Sequence, residues 1–220
     1  MLIKLLDWGT WLVPLLLSLM CYSIAKYYKL LKPYQKVIYI FLLISLSVDL
    51  LSRFWSFAFA QNLEFISIFA IIEVIIFYIF YYKILSSTNH LLGNILTIFA
   101  LAYLCLDMLL FQTNRLTDYQ TYTRSVSSLY IVVSSLLYYK KIYSEYTRDK
   151  ELLQLNGILL LYYSLNFILY LPINYIINVS VAINISLWIF KIILLLIFYL
   201  YLWKHLMNYG KNKKQSRIGF

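Results

Sequence analysis

Charge is what this chain has least of. Only 13% of its 220 residues are Asp, Glu, Lys or Arg, about half the share a soluble domain carries, while 63% are hydrophobic. So few charges cannot cover the surface of a water-soluble body of this size. Glycine (5) and proline (3) are also scarce, which argues against a loop-rich or collagen-like chain. The two cysteines, Cys21 and Cys105, both fall in apolar stretches and give neither a disulfide framework nor a zinc spacing. Acidic residues are outnumbered, nine against nineteen basic ones.

What is present is long apolar runs. Only helices or closed barrels satisfy their backbone in lipid, and the short alternating segments of a barrel are missing. The expected fold is therefore all-α, a seven-transmembrane-helix bundle forming a single polytopic membrane domain over residues 1–220. The spans are expected at about 8–28, 37–59, 65–85, 92–112, 122–139, 152–171 and 180–203, followed by a basic tail at 204–220. Trp and Tyr crowd the segment ends, as interface belts do. The first run follows Lys4 but has no small-x-small cleavage pattern and is followed by four lysines, so it is read as a mature helix.

Basic residues fix an expected orientation. The first, third and fifth connections and the tail hold most of them, including Lys26, Lys29, Lys32, Lys36, Lys140, Lys141, Lys211, Lys213 and Lys214. The other side holds Lys4, Arg115 and Arg124. The positive-inside rule then puts the N-terminus outside and the C-terminus in the cytoplasm, with the protein multi-pass in the cytoplasmic (inner) membrane. The same distribution explains the net charge of +10 without nucleic acid. The expected partners are the lipid bilayer, anionic lipid headgroups at the tail and a cytoplasmic signalling protein.

Ionisable residues inside apolar segments are the candidate site. Lys191 lies roughly 20 Å along a helix from Lys204, near the middle of the last span. Glu73 falls near the midplane of the third, and Asp49 somewhat nearer the outer face of the second. Arg53 follows Asp49 by one helical turn, so the two can pair. Asn184 shares a face with Lys191, and Tyr163, Asn166 and Tyr170 form a stripe on the sixth span. Asp49, Glu73 and Lys191 are expected to face one another as a buried polar core, with Lys191 neutralising Glu73. The paired serines Ser127–Ser128 and Ser134–Ser135 are read as close-packing positions. No nucleophile–base pair and no metal-ligand set is visible, so neither an enzyme nor a cofactor is expected.

Two resemblances follow from these residues. A lysine in the last of seven helices, with an acid on the third, resembles the retinal-binding opsins, which would make Lys191 a Schiff-base lysine and Glu73 its counter-ion. The detail departs: Leu187 stands where microbial opsins carry an acid, and Glu73 is flanked only by Ile71, Ile72, Val74 and Ile75. The chain also resembles a group of small, uncharacterised seven-helix bacterial membrane proteins. That likeness is carried by Ser45, Ser47, Asp49, Leu50 and Leu51, by the stretch Ile72–Leu85 around Glu73, and by Leu187, Trp188, Leu202 and Trp203. It implies no known activity, although some such proteins accompany cytoplasmic signalling kinases. The leading expectation is a non-enzymatic sensory or scaffolding module. The alternatives are a small-molecule or proton/ion transporter using the same charges, and a chromophore protein through Lys191.

Overall fold

A computed structural model describes residues 2–59, 64–85, 90–114, 122–145, 149–171 and 181–218. Among the described residues every regular element is helical, as the sequence requires. In order they are α1 (Leu2–Ala25), a short 3-10 turn (Tyr28–Leu30), α2 (Pro33–Phe59), α3 (Glu64–Tyr78), α4 (His90–Asn114), α5 (Thr123–Glu145), α6 (Lys150–Tyr170) and α7 (Val181–Ile218). α3 runs on into a π-helical turn, Ile79–Ile84, closed by the Leu85 amide donating to the Phe80 carbonyl at 3.1 Å.

Local chemistry explains the helix starts. α2 opens with Pro33, whose missing N–H would have had no helical partner there anyway. Gln35 then reaches back to accept from the Lys32 amide at 3.0 Å, the return half of a capping box. α6 is capped by Asp149, whose carboxylate accepts from the amides of Glu151 and Leu152.

Among the described residues five stretches are long and apolar enough to cross a membrane: Pro33–Ala58, Glu64–Ile84, Leu91–Leu109, Lys150–Tyr170 and Ile185–Gly210. A shorter apolar helix covers Gly9–Ala25. α5, rich in serine and tyrosine, is not among them. Its polar side chains are turned inward: Thr123, Ser125, Ser127, Ser128, Ser134 and Ser135 are all buried, while Leu129 and Leu136 are exposed. Large apolar side chains lie on the outside elsewhere too, up to Phe57 at 95% exposure. Polar groups within and apolar groups without is the arrangement a lipid solvent selects, and it is compatible with a multi-pass membrane protein.

The chain forms two compact units. One comprises Met1–Phe54 and Ile185–Phe220, the other Trp55–Asn184. In the first unit α1 is tied to α2 by the Tyr39 hydroxyl donating to the Cys21 carbonyl at 3.3 Å. It is tied to α7 by the Trp203 indole N–H donating to Ser23 Oγ at 2.7 Å. In the second unit α5 packs against α3, α4 and α6. Gly93 on α4 lets the Tyr82 ring lie against the α4 backbone, where a Cβ would come within 2.3 Å of it.

Candidate functional site

The second unit is organised around one carboxylate. Glu73 sits in the middle of α3 and is only 3% exposed. Tyr163 of α6 donates its hydroxyl to Oε1 at 2.8 Å. Ser127 of α5 donates to Oε2 at 3.1 Å, and Arg124 Nη1 donates to the same oxygen at 3.2 Å. Three helices thus converge on one side chain. A buried carboxylate needs both a counter-charge and donors for its lone pairs, and this one has them. The Arg124 guanidinium lies over the Phe69 ring, 4.5 Å from its centroid, so its flat face is packed as well.

A second polar node lies farther along the same helices. The Asn156 side-chain oxygen accepts from the Tyr81 hydroxyl at 2.8 Å and from Ser135 Oγ at 2.9 Å. Its amide donates to the Ser135 carbonyl at 3.2 Å. Tyr82 meets Ser134 at 3.3 Å, and Tyr130 meets Thr97 at 2.9 Å. The π turn carries Tyr81 and Tyr82, adjacent in sequence, toward α6 and α5 respectively. Asp107 accepts from the Thr123 hydroxyl at the start of α5.

The first unit holds Asp49, the other acid of the candidate core. Asp49 pairs with Arg53 one turn on, Nε to Oδ2 at 2.8 Å, as their spacing predicts. Arg53 does more than that. Its Nη2 donates to the Thr10 backbone carbonyl of α1 at 2.6 Å. The amide that would take that carbonyl in a regular helix belongs to residue 14, which is Pro14 and has no N–H. Arg53 therefore supplies the donor that proline withholds, while the Trp11 ring lies 4.9 Å from its guanidinium carbon.

The sequence-predicted residues are distributed as follows. Asp49, Arg53 and Lys191 belong to the first unit, and Glu73, Asn166, Tyr170 and Asn184 to the second. Sequence alone assigned Lys191 to Glu73; the cation hydrogen-bonded to that carboxylate is Arg124. Lys191 is half-buried, with its ammonium 4.2 Å from the Trp188 ring centroid. Tyr163, Asn166 and Tyr170 are buried together on α6, as their stripe predicts. The side chain of Asn184 lies outside the described residues.

Arg124, Asn156 and Tyr81 are the site residues that sequence reading missed. Arg124 lies two residues inside the expected fifth span, a position that sequence alone groups with the outer connections. Its one-turn spacing from Ser127, itself one turn from Tyr130 and two from Ser134, is the signal that marks this face of α5 as polar. Among the described residues no group of His, Cys, Asp and Glu is placed to hold a metal ion. Comparison with protein-family models, with curated proteins and with solved structures finds no match.

Proposed function

We propose that this chain is a non-enzymatic membrane module, sensory or scaffolding in role, crossing the cytoplasmic membrane seven times with its C-terminus inside. The observation that carries the reading is the saturation of Glu73. Both its oxygens accept hydrogen bonds from side chains of its own unit, with a guanidinium as counter-charge. A carboxylate so occupied joins three helices and needs no ligand to complete it. The basic connections and tail then face anionic headgroups and a cytoplasmic signalling partner.

Purified protein in sealed vesicles tests the reading. The expected result is proton and cation flux equal to that of empty vesicles, for the native chain and for Glu73→Gln alike. Flux abolished by Glu73→Gln would replace the module with a carrier. One observation favours that second reading. Arg124 Nε is buried without a hydrogen-bond partner among the described residues, although the side chain is 20% exposed overall. An orphaned donor beside a carboxylate is where a water or a polar solute would bind.

A further inference from the structure

Glu73 is fully served, but the arginine that serves it is not. The Arg124 guanidinium meets the carboxylate through Nη1 at 3.2 Å and lies over the Phe69 ring. Nη1 does not belong to the side edge of a guanidinium, which is formed by Nε and Nη2. Nε on that edge is buried and meets no acceptor among the described residues. One residue on, Ser125 is 3% exposed, and its Oγ is likewise buried without a hydrogen-bond partner among the described residues. Each of these groups has given up water without receiving a partner, a cost that calls for a reason.

Both belong to the first turn of α5. The Val126 amide donates to the Tyr122 carbonyl at 2.9 Å, so the amides of Thr123, Arg124 and Ser125 come before the first bond of the helix. That turn contains no acid. Side chains of a first turn lean toward the helix N-terminus, which directs Arg124 and Ser125 to the end where the helix dipole favours negative charge. The two neighbouring acids are already engaged, Glu73 by its three donors and Asp107 by the Thr123 hydroxyl. One guanidinium shared with Glu73 can balance a monoanion but not a dianion. The planar side edge of an arginine matches the two oxygens of a carboxylate. The Arg124 side chain keeps 20% of its surface exposed, which leaves it within reach of a solute.

We propose that Arg124 and Ser125 form a binding site for a small monocarboxylate at the start of α5. The side edge of Arg124 takes the two carboxylate oxygens, and the Ser125 hydroxyl donates to one of them. This rests on the sensory form of the module proposed above and names the class of its signal, an external solute in the orientation given there.

The test follows the thermal stability of the detergent-solubilised full chain against concentration of acetate, with ionic strength held constant by chloride. Acetate should stabilise saturably. Acetamide, its neutral isostere, should not, and succinate should be weaker. Arg124→Lys keeps a cation for Glu73 but loses the planar edge, and should weaken acetate binding about tenfold. Ser125→Ala should weaken it about threefold without lowering stability in the absence of acetate, since its hydroxyl has no partner to lose. No effect of acetate beyond that of chloride, or equal effects of acetate and acetamide, would overturn the site. Should Arg124→Lys fail to fold, Ser125→Ala decides alone, and native affinity in that variant overturns the site. Acetate flux into sealed vesicles that Ser125→Ala diminishes would overturn the module reading and leave the site standing.

Discussion

Each unit pairs an acid with an arginine, but the two pairs are built differently. In the first, Asp49 and Arg53 are one turn apart on α2, and the arginine's Nη2 donates to the Thr10 backbone carbonyl, to which Pro14 has no N–H to offer. In the second, Glu73 and Arg124 come from α3 and α5, and the pair is completed by hydroxyls from α5 and α6. The first pair forms as soon as its helix does. The second exists only once three helices have packed. A local pair therefore reports on one helix, and a tertiary pair on the assembly of the whole unit.

That difference sets the scale of the expected mutational effects. Arg124→Met should be the most damaging single change, because it leaves the nearly inaccessible Glu73 without its cation. Loss of one partner of a buried pair costs about 3–5 kcal/mol, read as the temperature at which detergent-solubilised protein loses monodispersity. Asn156→Leu should follow, at about 2–3 kcal/mol, since the buried Tyr81 and Ser135 hydroxyls and the Ser135 carbonyl all lose a partner. Gly93→Ala should cost about 1–3 kcal/mol by driving a methyl into the Tyr82 ring.

Arg53→Gln should be milder, about 1–2 kcal/mol, because this pair is partly exposed and held by one helix. Pro14→Ala sharpens the contrast. It restores an amide to the Thr10 carbonyl, so the loss caused by Arg53→Gln should shrink in the Pro14→Ala background. Equal losses in both backgrounds would show that the carbonyl contact contributes nothing.

The sequence revealed what depends on period and short spacing. The helical class follows from run length and from the lack of barrel alternation. The Asp49–Arg53 pair follows from a four-residue offset, and the inward face of α6 from Tyr163, Asn166 and Tyr170. The partner of Glu73 was hidden for a physical reason. Any cation at comparable depth satisfies a buried acid, and nothing local to Glu73 distinguishes Lys191 from Arg124. The serine pairs of α5 were legible as small residues. Their hydrogen bonds were not, because those depend on which helices α5 meets. The π turn left no mark beyond two adjacent tyrosines, and the bond from Arg53 to Thr10 required Pro14 to be read together with a residue on another helix.

The most direct measurement compares two rescues. Thermal stability is recorded for Arg124→Met and for Lys191→Met, each with and without Glu73→Gln. If Glu73 draws its counter-charge from its own unit, Glu73→Gln recovers most of the stability lost in Arg124→Met and none of that lost in Lys191→Met. Recovery confined to the Lys191→Met background would contradict the account and make Lys191 the cation that Glu73 requires.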